Sequence, residues 1–254
     1  NTSVTKRVIV DTDPGVDDAA ALIWLFSQRR YGVDVEAVVT VSGNTNVDQA
    51  TNNAQLILEW LEADTTTTLV KGSAAPLVQP PSLTPSFIHG LDGLWFTGGT
   101  TSSPDFTDST AFYCATLEPG MMVIALGPLT NIAKAMDAGA GGCPAKWSGV
   151  ELVSLGGSRA TPNQTPVTEY NYWQDPEAVE KVLTLGPASG ATFQIVLSDA
   201  FSQFEIARSD LRQLDRRGND AIQNLLPALD FYMQGFEAGG ETPTLPDPSA
   251  VIYA

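Results

Sequence analysis

Four carboxylates stand close together in Val8-Ile9-Val10-Asp11-Thr12-Asp13-Pro14-Gly15-Val16-Asp17-Asp18-Ala19, between two segments apolar enough to be buried. Two ionised carboxylates about 4 Å apart repel by about 4 kcal/mol at an effective dielectric of 20. The group therefore calls for a positive charge among its members, for shared protons, or for a spacing that carries the acids apart. Oxygen ligands at this density suit a hard cation such as Ca²⁺ or Mg²⁺. A water beside such a cation, next to a free carboxylate, is a ready nucleophile. The plain alternative for Asp17 or Asp18 alone is a helix N-cap, worth about 1 kcal/mol and helped by the helix dipole. One helix needs only one cap, so capping leaves the remaining acids unexplained. A phosphatase that uses an aspartyl nucleophile also begins with a strand followed by Asp-x-Asp. That chemistry places Thr or Val where this chain has Gly15, and it gives the Asp17-Asp18 pair no role.

These acids need elements to hold them. An apolar strand over residues 7–10 puts Asp11 and Asp13 at the carboxyl edge of a sheet, with Pro14-Gly15 as the turn. Residues 17–28 read as a helix that is apolar on most faces and therefore buried. Further strands are expected at 33–41, 68–71, 121–126, 150–155 and 192–197. Further helices are expected at 47–62, 129–138, 175–185 and 221–234. Continuous apolar strands between helices predict an α/β protein with an open, mostly parallel sheet covered on both faces. Such sheets bind their ligands at the carboxyl ends of the strands. Residues 72–106 differ: they are rich in Pro, Ser, Thr and Gly, hold the one histidine, His89, and read as a long functional loop. Trp24 and Trp60 fall in helical apolar patterns and are expected in the core.

Composition narrows the function classes. With 29 acidic and 13 basic residues the net charge is -16, which argues against a nucleic acid partner. No stretch approaches the roughly 18 uninterrupted apolar residues of a membrane span. Cys114 and Cys143 are the only cysteines, free either to pair in an oxidising compartment or to stay as buried thiols. Asn1 and Asn163 both head glycosylation sequons. No signal peptide is visible, although one is absent from any mature chain. Scarce lysine and frequent threonine lean toward a secreted protein, with a cytoplasmic one as the alternative.

The segment 11–19 resembles the signature of the nucleoside hydrolases, the inosine-uridine-preferring nucleoside N-ribohydrolase family. Further blocks follow in the family's order: Val41-Ser42-Gly43-Asn44 with Asn52-Asn53-Ala54, then His89-Gly90-Leu91-Asp92-Gly93-Leu94, then Ala125-Leu126-Gly127-Pro128-Leu129-Thr130-Asn131. Leu155-Gly156-Gly157-Ser158, Asn163, Glu169-Tyr170-Asn171 and Asp175-Pro176-Glu177-Ala178 follow, and Asp247-Pro248 with Ala250-Val251 closes the set. The resemblance implies a Rossmann-like nucleoside hydrolase domain over residues 1–254, shortened at its C-terminus, in an assembly of two or four copies. It implies one Ca²⁺ held by Asp13, Asp18, Asp247 and the backbone carbonyl of Leu126. It makes Asp13 the general base, and has Asp11 orient the water or Asp13 from behind. Asp17, Asn44 and Asn171 fall to the ribose 2′/3′ side, together with Asp247, and Asn163 and Glu169 to the 5′-hydroxyl. The implied reaction is N-glycosidic hydrolysis of a small-molecule nucleoside through an oxocarbenium-like state.

One departure bears on the chemistry. In relatives a histidine or an aromatic residue commonly precedes the last metal aspartate, and here it is Pro246. Leaving-group activation then falls to His89, to stacking by aromatic residues near the site, for which Trp95, Tyr172 and Trp173 are the candidates, or to solvent, and is otherwise weak. That arrangement predicts a preference for purine nucleosides. A Ca²⁺-dependent nucleoside or ribose binder without turnover is the alternative class, and release of free base separates the two.

Overall fold

The computed structural model describes residues 5–81, 88–95 and 101–254. Six strands are laid down in chain order: β1 (Lys6–Thr12), β2 (Val33–Thr40), β3 (Thr68–Lys71), β4 (Met122–Ala125), β5 (Glu151–Leu155) and β6 (Thr192–Val196). All pair in parallel, in the order β3-β2-β1-β4-β5-β6. This is the doubly wound order, whose chain direction reverses at β1, so a crevice opens beyond the ends of β1 and β4.

The helices are α1 (Val16–Ser27), α2 (Val47–Trp60), α3 (Ser109–Thr116), α4 (Thr130–Met136), α5 (Tyr170–Gln174), α6 (Pro176–Ser189), α7 (Ser198–Phe201), α8 (Arg208–Arg217), α9 (Asp220–Gly239) and α10 (Pro246–Tyr253). Alternation along the strands splits the core into two layers. Val8 and Val10 face α1, α9 and α10, whereas Ile9 and Val39 face α3, α4 and α6. Each such side chain contributes roughly 1.5–3 kcal/mol by leaving water. Helix α1 is wrapped by the sheet, α9 and α10, which accounts for its apolar character on nearly every face. Trp24 and Trp60 are only partly buried and pack against the rim of this layer rather than inside it.

Element ends differ from the sequence reading where side chains override the pattern. Strand β1 runs on to Thr12, so Asp11 lies inside the sheet, level with Val39 and Ala125, and not at its edge. Helix α6 continues to Ser189 through Pro187, and α9 starts at Asp220 and continues to Gly239. Asp247, which reads as a turn residue between two prolines, sits in the first turn of α10 with Pro246 at its start, a position that tolerates the missing N–H. The long segment 72–106 contains one described curl, 88–95; the rest of its expected loop character falls partly on 82–87 and 96–100, outside the described residues. Asn1 lies outside them as well. Cys114 and Cys143 are joined as a disulfide, tying α3 to the turn after α4.

Candidate active site

The turn after β1 is built around one tight contact set. Asp18, in the first turn of α1, reaches back so that its Oδ2 accepts the Gly15 N–H at 2.9 Å and the Asn44 Nδ2–H at 3.2 Å. Its Oδ1 accepts from the Thr12 hydroxyl. Asp18 therefore does the work of a cap while belonging to the acid cluster. Gly15 is needed here, because a Cβ would stand 2.6 Å from His89 Nδ1 and 2.9 Å from Asn44 Nδ2.

Asp13 is wedged between two glycines. A Cβ on Gly43 would lie 2.0 Å from its Oδ2, and one on Gly127 would lie 2.5 Å from its Oδ1. Its Oδ2 accepts the Asn44 backbone N–H at 2.6 Å. Helix α10 brings Asp247 from the other end of the chain. Ligand atoms of Asp17, Asp18 and Asp247 all lie within 4.8 Å of one another. The expected division gave Asp13 to the ion and Asp17 to the sugar; Asp13 falls outside this tightest group, and Asp17 falls inside it.

Burial first, and then the charges of the neighbouring carboxylates, push these acids up: Asp17 to about 8, with Asp13 and Asp247 held well above the carboxylate range. Among the described residues Asp17 Oδ1 is buried without a hydrogen-bond partner, with His89 Nδ1 3.7 Å away. An orphaned carboxylate oxygen among like charges, in an all-oxygen donor set, fits a hard divalent cation.

A cavity of about 530 Å³ opens above this floor, lined by Asp13, Asp17, Asn44, His89, Leu126, Asn163, Glu169, Asn171 and Asp247 among others. No lysine or arginine occurs among its described lining residues. Asn171 Nδ2 donates to the carbonyls of Leu126 at 2.6 Å and Leu155 at 3.3 Å, joining the ends of β4 and β5. Glu169 caps α5 through the N–H groups of Asn171 and Tyr172 and also accepts from Gly157; burial nevertheless raises it to about 7. Asn163 Oδ1 accepts the Tyr170 N–H at 2.9 Å. His89 Nδ1 accepts the Val16 N–H at 3.2 Å, which places the ring proton on Nε2. Burial lowers this imidazole to about 4, so it stands neutral.

Two expectations are corrected. Asp11 does not turn toward Asp13: its carboxylate accepts from Tyr113 Oη at 2.7 Å and Asn131 Nδ2 at 3.0 Å, beneath the cavity on the α3–α4 side. Trp95, Tyr172 and Trp173 do not line the cavity; Tyr170, Phe201, Tyr232 and Phe236 do. Tyr172 is pressed against Gly156 and Gly157, and its hydroxyl lies 3.2 Å from Ser154 Oγ. Tyr170 was within reach of sequence reasoning, since it separates Glu169 from Asn171. Tyr232 and Phe236 were not, because their spacing on α9 matches that of ordinary core residues.

Residues 8–254 match the sequence model of the inosine-uridine preferring nucleoside hydrolases. The chain is 36% identical over 239 residues to a probable uridine nucleosidase 2 of rice (Oryza sativa subsp. japonica), covering 89% of this chain and 66% of that one. It is 35% identical over 192 residues to a non-specific ribonucleoside hydrolase of Salmonella agona, covering 72% of this chain and 59% of the relative. The fold superposes on a plant nucleoside hydrolase with a TM-score of 0.87 at 29% identity, over 97% of this chain and 77% of the other. It superposes on a ribonucleoside hydrolase from Gardnerella vaginalis with a TM-score of 0.85 at 24% identity, over 97% of this chain and 79% of that one. The chain thus spans about two thirds or less of the length of these two curated relatives. With motifs, sheet order and acid cluster in agreement, it belongs to the inosine-uridine preferring nucleoside hydrolase family.

Proposed function

We propose that the chain hydrolyses the N-glycosidic bond of ribonucleosides, yielding free base and ribose. The observation that carries this reading is the buried acid cluster, with Asp17 Oδ1 lacking a hydrogen bond among the described residues, at the floor of a cavity lined for a neutral polyhydroxylated ligand. Asp17, Asp18 and Asp247, with Asp13 and the carbonyl of Leu126, would hold a Ca²⁺ there. When bound, that ion supplies positive charge that cancels the repulsion among the acids and acidifies a nearby water.

The chain's own groups do the rest. Asp13, held by the Asn44 N–H and gripped by Gly43 and Gly127, takes the proton from the attacking water. Asp17 accepts from a ribose hydroxyl. Asn44 and Asn171 serve the 2′/3′ side, and Asn163 and Glu169 the 5′-hydroxyl, since each sugar hydroxyl both donates and accepts. The carboxylates stabilise the positive charge that grows on the ring in an oxocarbenium-like transition state. His89 offers its Nε2–H to the departing base, with Tyr232 beside it at 5.5 Å between ring centroids. Phe201, Tyr232 and Phe236 line the cavity and support a purine preference. The name of the rice relative favours uridine as the second reading.

Release of free base from inosine, adenosine, guanosine, uridine and cytidine, with and without chelator, tests the proposal. Chelation should abolish release, and elemental analysis of active protein should give calcium. Saturable nucleoside binding with no ribose produced would favour the binder. Uridine cleaved as fast as inosine would remove the purine preference. The Cys114–Cys143 bond supports an oxidising, extracellular setting for the protein.

A further inference from the structure

His89 is carried by a curl with unusual backbone. Gly90 and Gly93 have φ of 75° and 85°, and Trp95 has φ of 56°. Glycine enters this left-handed region freely. A bulky aromatic does so only where surrounding contacts over-determine it, and such outliers gather at functional sites.

The contacts that hold Trp95 are specific. Its Nε1–H donates to the Ile88 carbonyl at 2.7 Å, so the last residue of the curl clasps the residue before His89. The indole lies over Gly90, where a Cβ would come within 2.8 Å of the ring. Its outer face stacks on Phe231 of α9, with ring centroids 5.3 Å apart and planes at 25°. The next residue along α9, Tyr232, has its ring 5.5 Å from His89. On the other side, Asn53 Nδ2 donates to the carbonyls of Pro14 at 2.9 Å and Asp92 at 2.7 Å, keying the curl to the turn that presents the acids. Two adjacent residues of α9 thus grip the curl, one through Trp95 and one through His89.

We propose that Trp95 is a positioning residue for the leaving-group side of the site: through the Ile88 carbonyl and Phe231 it sets where His89 stands against Tyr232. This rests on the hydrolase reading above. Trp95 itself stays outside the cavity and acts only through its neighbours.

The test is a double-mutant cycle of Trp95→Ala and His89→Ala assayed on inosine, with Trp95→Phe, thermal midpoints and calorimetric nucleoside affinity measured alongside. Trp95→Ala should lower kcat by roughly 10- to 100-fold, the scale of a misplaced reacting group, with KM little changed. In the His89→Ala background the same replacement should cost almost nothing more, because residues acting as a unit are not additive. Trp95→Phe keeps the stack and loses the N–H, and should fall between. An equal loss with and without His89, or an unchanged kcat, would overturn the proposal. Should Trp95→Ala fail to fold, Trp95→Phe with and without His89 closes the same cycle. A wild-type chain that binds nucleosides and releases no base overturns the hydrolase reading alone, and the cycle is then read in affinity. A chain that does neither overturns both.

Discussion

Gly43 and Gly127 stand against the two carboxylate oxygens of Asp13, each too close to carry a Cβ. Asp13→Asn should keep the fold and lower the chemical rate by roughly 10²–10⁴, the range for a positioned proton acceptor. Metal occupancy measured on the same sample separates loss of the base from loss of a ligand, and near wild-type turnover at full occupancy would remove Asp13 from the mechanism. Gly43→Ala is the complementary probe, since its Cβ would lie 2.0 Å from Asp13 Oδ2 and would force that carboxylate out of its place. It should abolish turnover while circular dichroism stays native, and an active Gly43→Ala protein would show that Asp13 does not need its present place. The cluster was legible at this scale because four acids between apolar segments have no economical structural reading. Asp247 was legible only through the family resemblance, since Asp between prolines otherwise reads as a turn. Tyr232, Phe236 and Trp95 carry no such mark, because an aromatic residue looks alike whether it packs a core, walls a cavity or braces a loop.

At the scale of elements, apolar periodicity found all six strands of the described residues, because a parallel sheet buried on both faces needs continuous apolar runs. Helices α3, α5, α7, α8 and α10 escaped it, α5 and α7 being only five and four residues long. Helix α3 is short and mixed, and α8, Arg208–Arg217, is so highly charged that no apolar stripe stands out. Asp11 shows how an element redirects a residue: extension of β1 to Thr12 turns its carboxylate to the α3–α4 side. There Asn131 is the keystone. Its Nδ2 donates to Asp11 and to the Thr40 carbonyl, both at 3.0 Å, and its Oδ1 accepts the Ser73 N–H at 2.8 Å and the Ser109 hydroxyl at 3.0 Å. Asn131→Ala strands several buried groups and should destabilise the fold by roughly 2–4 kcal/mol, at about 1–3 kcal/mol per unsatisfied group after partial relaxation. Urea unfolding measures it, and a loss under about 0.5 kcal/mol, the range of surface substitutions, would mean that the layer repacks.

For the whole molecule the buried acids link stability to pH and to cations. Burial raises Asp11 and Glu169 to about 7 and Asp17 to about 8. A carboxyl raised on folding binds its proton more tightly in the native state than in the unfolded chain. Between about pH 4 and pH 8 the metal-free native protein therefore holds more protons, and its stability falls as pH rises through that window. A cation bound among the acids, proposed above to be Ca²⁺, would displace the protons of Asp13, Asp17 and Asp247, so its benefit should grow in the same direction. At 100-fold excess over Kd it adds about 2.7 kcal/mol, roughly 5–10 °C in Tm for a chain of this size. Melting curves at pH 5 and pH 8, with Ca²⁺ and with chelator, check this. A Ca²⁺ shift as large at pH 5 as at pH 8 would contradict the linkage.

The placement of Asp247 on α10, packed against α1, also sets an order of events. Asp13, Asp17 and Asp18 leave the ribosome well before Asp247, in the turn and first helical residues that follow β1, a strand whose partners on both sides have yet to be made. Strand pairings that span long sequence separations form slowly, and α10 can dock only onto an α1 already seated on the sheet. Ion affinity is then a late acquisition of the folding chain. In refolding, the rise of cation binding should trail the recovery of helical signal, and the lag between them times the arrival of the last carboxylate.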